Sequence, residues 1–175
     1  FALASMVVAA RDNSGWPGWR VFGLILVAMV CARTCAMAFN RIVDRDVDAL
    51  NPRTKSREIP SGVLSVASAS AAVAIACAVF VIAAWQLNRL CLLLSPLALG
   101  WVLFYSFTKR FTRLCHIVLG IGLSIAPVGG YLAVTGHWSD PWWMLVLLAT
   151  AVATWVGAIE PVVSGAGCAC ASFFC

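Results

Sequence analysis

The chain has 175 residues, of which 62% are hydrophobic and only 11% are charged. A soluble domain carries roughly 25% charged residues, so this composition and the mean hydropathy of +0.94 exclude that class. The formal net charge of +5 does not indicate a nucleic-acid partner, because the basic residues concentrate in two short loops, at 41–57 and 109–113. Such clustering is typical of the cytoplasmic side of a membrane protein.

The apolar stretches are of membrane-helix length and do not alternate with polar residues, which favours helices over a barrel. Counting crossings places both basic loops on one side of the bilayer. We therefore predict an all-α, polytopic transmembrane helix bundle. Ser61 is the expected N-cap of the third helix. The predicted helices are a first one ending near Ala10, then Val21 to about Phe39, Val63 to Trp85, Leu90 to about Phe107 (interrupted at Ser95-Pro96), Arg113 to Val134, and Trp143 to about Gly157.

An acidic row follows the second apolar stretch, in the sequence Asn40-Arg-Ile-Val-Asp44-Arg-Asp46-Val-Asp48. Asn40, Asp44 and Asp48 are spaced four apart, so on a helix they share one stripe. Acidic side chains at a membrane boundary are costly unless they face a wet cavity and have a cationic partner. Mg²⁺ is typically held by one or two carboxylates together with waters and substrate phosphates. The row therefore predicts a Mg²⁺ site for a lipid diphosphate.

Basic side chains accompany the row. Arg33 lies two helical turns before Asn40 and so shares its stripe. A charge in mid-span is a functional-site hypothesis by default, and the alternative is an arginine that snorkels to the interface. The loop that follows contains three alternating basic residues, Arg53, Lys55 and Arg57. They supply the positive charge of a cytoplasmic loop, bind phosphate oxygens, or do both.

A second polar pair lies near the inner end of the fourth apolar stretch. Tyr105 and Lys109 are four residues apart and share a helix face. A tyrosine at this depth is either an interfacial anchor or part of a site.

Three other interpretations of the acidic row compete with the diphosphate site. A calcium loop requires Gly at its sixth position and Glu at its twelfth, where this chain has Ala49 and Lys55, so we reject it. An ion path built on intramembrane acids fits less well, since the acids lie at a helix end beside basic residues. A purely structural, salt-bridged loop stays open as an alternative.

Residues 33–62 resemble the first Asp-rich region of the UbiA superfamily of membrane prenyltransferases. They are most similar to its 4-hydroxybenzoate polyprenyltransferase branch and to menaquinone-pathway relatives. The N-x-x-x-D-x-x-x-D pattern from Asn40, the upstream Arg33 and the Arg-Thr-Lys-Ser-Arg run at 53–57 carry this resemblance. The segment from Tyr105 to Lys109 resembles a second-loop Tyr-x-x-x-Lys element of the family. The similarity extends from Phe1 to about Trp155.

The resemblance implies a bundle of about nine helices around a central cavity, of which about six are present here. It implies an enzyme that uses Mg²⁺ to bind a polyprenyl diphosphate and transfers the prenyl group to an aromatic acceptor such as 4-hydroxybenzoate. By this resemblance Asn40, Asp44 and Asp48 hold metal and diphosphate. Tyr105 lies near the allylic carbon, and Arg33 faces the acceptor carboxylate. The leaving-group charge is neutralised by three cations: Arg53, Arg57 and Lys109.

The sequence departs from the family near its C-terminal end. The second Asp-rich motif is expected after the sixth helix, where the chain has only Glu160 and then a Cys-rich tail. We therefore expect a partial prenyltransferase domain at 1–157, truncated at both ends, and an atypical tail at 158–175 that a frameshift would explain.

The resemblance also predicts where the protein works. The expected setting is the bacterial inner membrane and ubiquinone or menaquinone biosynthesis, with the acidic row facing the cytoplasm. The alternative is a non-catalytic membrane protein, either an inactive relative or an ion-conducting bundle.

Overall fold

The computed structural model of the chain describes residues 2–11, 16–50, 54, 56–59, 61–111, 115–136 and 142–163. These residues form helices and no strand, which confirms the all-α prediction. The helices are α1 (Ala2–Ala9), α2 (Trp19–Leu50), α3 (Val66–Leu87), α4 (Arg89–Phe111), α5 (Cys115–Thr135) and α6 (Trp142–Val163). By length and composition, α2, α3, α4 and α5 can each cross a membrane.

Helix α2 continues well beyond its predicted end near Phe39, without a break to Leu50. Hydrophobicity indicates only the part of a helix that lies in the bilayer. The last part of α2 is polar in sequence, yet one of its faces is buried. Asp44 and Asp48 are only 8% and 7% exposed, whereas the side chain of Asp46 is 78% exposed. This burial pattern agrees with the prediction that Asp44 and Asp48 share one stripe.

The N-terminus of α3 differs from the prediction. The helix begins at Val66, and its N-cap is Ser65 rather than Ser61. The Ser65 hydroxyl accepts a hydrogen bond from the Ser68 N–H at 3.0 Å, which satisfies one of the donors that a helix start leaves unpaired. Ser61 lies instead in the preceding turns, where its N–H donates to the Arg57 carbonyl at 2.9 Å.

Helix α4 runs through Pro96, where we predicted an interruption. Proline has no N–H, so the carbonyl of Leu92 loses its usual partner four residues on. The hydroxyl of Ser95 donates to that carbonyl at 2.8 Å. The lost backbone hydrogen bond is thereby replaced within the helix, as membrane helices require.

Helix α5 is the centre of the bundle and packs against α1, α4 and α6. Two glycines permit close backbone approach: a Cβ on Gly130 would lie 2.6 Å from the Ala2 carbonyl oxygen, and one on Gly120 would lie 2.7 Å from that of Ala153. At the turn between α3 and α4, the Asn88 amide donates to the Leu132 carbonyl at 2.7 Å. Small residues and side-chain-to-backbone hydrogen bonds thus hold α5 in place.

Helices α2 and α3 also meet closely, and their contact can be tested with native cysteines. The Sγ atoms of Cys35 and Cys77 lie 3.2 Å apart. We expect molecular iodine, which enters membranes, to oxidise the two thiols to a disulfide while the iodine is reduced to iodide. After tryptic cleavage of the intervening basic loop, the two fragments should stay joined on a non-reducing gel. Joined fragments in Cys35→Ser, or separate fragments in the unaltered chain, would contradict this pairing of helices.

Candidate active site

A cavity of about 400 Å³ opens between α2, α4 and α5, and residues of α1 and α3 complete its wall. This is within the usual range for small-molecule sites, roughly 300–1,000 Å³. Most of the lining is aliphatic. Among the lining residues, those with polar side-chain groups are few and lie on two helices: Arg33 and Asn40 on α2, and Ser95, Trp101 and Tyr105 on α4.

The acidic row continues directly from the cavity wall. Asn40 is half-buried and lines the cavity. Asp44 and Asp48 follow at one and two further turns of the same uninterrupted helix, each turn advancing about 5.4 Å along its axis. The structure therefore brings Arg33, Asn40 and the two buried carboxylates onto one side of α2, with the carboxylates leading away from the apolar chamber.

The basic loop folds back over the end of this helix. Arg57 Nη1 donates to Asp48 Oδ2 at 2.9 Å, and both side chains are largely buried. A charge-assisted hydrogen bond of this kind is stronger than one between neutral groups. Arg41 on α2 forms a second ion pair with Glu58 of the loop. Two ion pairs therefore tie the loop to the helix, which agrees with the prediction that the acidic row has a cationic partner.

Helix α4 forms the cavity wall opposite α2, at the end of the cavity where the acidic row begins. The rings of Phe39 and Phe107 pack edge to face, with centroids 5.6 Å apart, so α2 and α4 are neighbours beside Asn40, where the acidic row begins. Tyr105 lines the cavity on this wall. Lys109 lies one turn further along α4, but its side chain is outside the described part of the structure, as is all of Arg53.

Two polar residues of the cavity were not singled out from the sequence. Trp101 lies one turn before Tyr105, and its indole N–H donates to the Val118 carbonyl of α5 at 3.1 Å. Its four-residue spacing from Tyr105 places the two residues on one helix face, and this spacing could have predicted that Trp101 lines the same site. Ser95 was treated only as part of an expected helix break, which concealed its place in the wall.

The fit of the site to Mg²⁺ depends on the ligands that the described residues supply. Among them, no group of three His, Cys, Asp or Glu side chains could hold a metal ion. Two buried carboxylates one helical turn apart, Asp44 and Asp48, nevertheless suit an ion that takes one or two carboxylates and completes its shell with waters and substrate phosphates. The donor set fits Mg²⁺ bound together with a phosphate ligand.

Comparison with protein families gives a match over nearly the whole chain. The model described as the UbiA prenyltransferase family matches residues 1–163. The solved apo structure of a UbiA homolog from Aeropyrum pernix K1 matches this fold with a TM-score of 0.79 at 35% sequence identity. That match covers 93% of this chain and 61% of the solved one.

Curated relatives show the same likeness. A 4-hydroxybenzoate octaprenyltransferase of Vibrio atlanticus is 30% identical over 146 residues, which are 83% of this chain and 50% of the relative. A protoheme IX farnesyltransferase of Acaryochloris marina is 35% identical over 145 residues, 81% of this chain and 44% of the relative. The chain thus spans about half the length of the curated relatives it matches.

Proposed function

The chain belongs to the UbiA prenyltransferase family, and from that membership we propose that it transfers a polyprenyl group from a polyprenyl diphosphate to an aromatic acceptor, with Mg²⁺ as cofactor. The acceptor we propose is 4-hydroxybenzoate, the substrate in the names of several relatives. Among the described residues, four helices are long and apolar enough to cross a membrane, and together with the family they make the chain an integral membrane protein. We place it in the bacterial inner membrane, in ubiquinone or menaquinone biosynthesis, with the acidic row facing the cytoplasm.

One observation carries the proposal. Asp44 and Asp48 are buried on the stripe of α2 that continues from the wall of an apolar cavity. A prenyl diphosphate has the same two-part character, because its chain is apolar and its head is strongly anionic. An apolar chamber that ends at metal-binding carboxylates suits both parts of such a molecule.

We assign roles to the site residues on this basis. Asn40, Asp44 and Asp48 hold the diphosphate through Mg²⁺, which when bound offsets negative charge on the phosphate oxygens. Tyr105 lies beside the reacting carbon and Arg33 orients the acceptor carboxylate. Charge that develops on the departing diphosphate is offset by three cations: Arg53, Arg57 and Lys109.

The proposed reaction exchanges one bond for another. The bond between the allylic carbon and the diphosphate oxygen breaks, and the electron pair leaves with the diphosphate. A ring carbon of the acceptor then bonds to the allylic carbon and gives its proton to an oxygen of the departing diphosphate. The aliphatic cavity wall keeps water from the electron-poor allylic carbon. In this way the chain's own residues favour transfer over hydrolysis.

The test is transfer by the purified chain in lipid nanodiscs. Octaprenyl diphosphate and Mg²⁺ are supplied with 4-hydroxybenzoate or, in parallel, with protohaem, because a farnesyltransferase of protohaem is also similar to this chain. We expect diphosphate release and prenylated 4-hydroxybenzoate. Prenylated haem instead would redirect the acceptor assignment, and no release with either acceptor would contradict the proposed activity.

Removing the metal gives a second test of the site. EDTA should weaken binding of the prenyl diphosphate by on the order of a hundredfold, because such a metal ion stabilises phosphate charge by several kcal/mol. Added excess Mg²⁺ should restore it. Binding is measured by equilibrium dialysis with radiolabelled farnesyl diphosphate. Farnesol, which has the same chain without phosphates, is the control and should bind equally with and without EDTA.

A further inference from the structure

Thr54 is buried in a loop that is otherwise rich in charge, with only 9% of its surface exposed. Its hydroxyl donates to the main-chain carbonyl of Asp48 at 3.0 Å. Asp48 lies in the last turn of α2, where carbonyls have no donor from within the helix. The hydroxyl therefore satisfies a carbonyl at the helix end and ties the loop to the residue whose side chain belongs to the acidic row.

The same threonine also holds the backbone of Arg57. The Arg57 N–H donates to the Thr54 carbonyl at 3.0 Å, and the Arg57 guanidinium returns to the Asp48 carboxylate at 2.9 Å. The three residues thus close a ring of hydrogen bonds. Each contact fixes a different group: the Asp48 carbonyl, the Arg57 backbone and the Arg57 side chain.

We propose that Thr54 is a positioning residue for the diphosphate site, which holds Arg57 beside the acidic row before any ligand arrives. An arginine side chain loses considerable rotamer freedom when it is immobilised. A site that has already ordered this side chain binds its ligand more tightly. The inference rests on the proposed function, because it gives Arg57 a diphosphate to bind.

The chemistry of the contact specifies which substitutions are informative. Thr54→Val keeps the shape of the side chain and removes the hydroxyl. Thr54→Ser keeps the hydroxyl and removes a methyl group, so it should restore the behaviour of the unaltered chain. Thr150→Val is the matched control, because the Thr150 hydroxyl also donates to a main-chain carbonyl, that of Val146 at 2.8 Å, but on the exposed face of α6.

The first measurement follows loop opening without any ligand. Trypsin can cut after Arg57, whose N–H and guanidinium are held by Thr54 and Asp48, only when this part of the loop leaves the helix. In detergent, Thr54→Val should raise the initial rate of this cut about fivefold, the equivalent of one hydrogen bond of typical net strength. Thr54→Ser and Thr150→Val should be cut at the rate of the unaltered chain. Equal cutting in Thr54→Val would overturn the proposal.

The second measurement follows ligand binding. Mg²⁺-dependent binding of farnesyl diphosphate should weaken about fivefold in Thr54→Val and recover in Thr54→Ser. If Thr54→Val opens the loop but binds with unchanged affinity, Thr54 is structural only and its positioning role is overturned. If the unaltered chain shows no Mg²⁺-dependent binding, the proposed function itself fails. Thr54→Ala, measured in parallel, repeats both tests if the valine variant does not fold by circular dichroism.

Discussion

Replacing Asp44 with alanine is expected to abolish Mg²⁺-dependent diphosphate binding and to lower any prenyl-transfer rate by at least about a hundredfold. Asp44 is buried on the cavity stripe of α2, and the nearest carboxylate on that stripe, Asp48, is itself one of the proposed Mg²⁺ ligands. Neighbouring residues therefore offer no ready substitute for it. Equilibrium dialysis with labelled farnesyl diphosphate and an assay of released diphosphate measure the two effects.

Asp46→Ala is the matched control, since it removes the same group from the opposite face of the same helix. The Asp46 side chain is 78% exposed and meets only Arg45, at 3.3 Å, within the described residues. Exposed ion pairs of this kind contribute little. We expect unchanged binding in this variant. Equal losses in Asp44→Ala and Asp46→Ala would indicate a general effect of charge and would contradict a specific site at Asp44.

Gly130→Ala is expected to have the largest effect on folding. The added Cβ would lie 2.6 Å from the Ala2 carbonyl oxygen and 2.8 Å from Ser5 Oγ, so α1 and α5 cannot keep their present separation. Overpacking of this kind typically costs about 1–3 kcal/mol. The free energy of unfolding, measured by titration with SDS in mixed micelles, should fall by that amount.

The adjacent glycine provides the control. A Cβ on Gly129 would meet nothing within 4 Å, and alanine is favoured over glycine inside a helix by up to about 1 kcal/mol. Gly129→Ala should therefore leave stability unchanged or raise it slightly. A comparable loss in both variants would mean that helix flexibility, rather than the contact between α1 and α5, explains the effect of Gly130→Ala.

The sequence was informative where one physical rule dominates. Long apolar stretches predicted the membrane helices, and a four-residue spacing predicted the shared face of Asp44 and Asp48. Both rules act locally along the chain. The length of α2 was underestimated because hydrophobicity indicates which residues lie in the bilayer and not where the helix ends. The polar part of the helix, which continues to Leu50, therefore gave no hydrophobic signal.

Other features depend on individual side-chain contacts rather than on a repeating pattern along the chain. The burial of Thr54 and the pairing of Arg57 with Asp48 depend on a loop that folds back onto a helix, and no periodicity encodes that return. The expected break at Pro96 was wrong because a neighbouring hydroxyl, that of Ser95, replaced the missing donor. The roles of Arg33, Tyr105 and the other site residues stay predictions, which the variants above can test.

The close contact between α1 and α5 has a consequence for biosynthesis. The ribosome makes α1 well before α5, so α1 is without its main partner in the described bundle while three other helices are made. Its one hydroxyl, on Ser5, donates to the Ala2 carbonyl at 2.9 Å and is thus satisfied within the helix during that time. The arrival of Gly130 then allows α1 to dock, and assembly of the described bundle is completed late in translation.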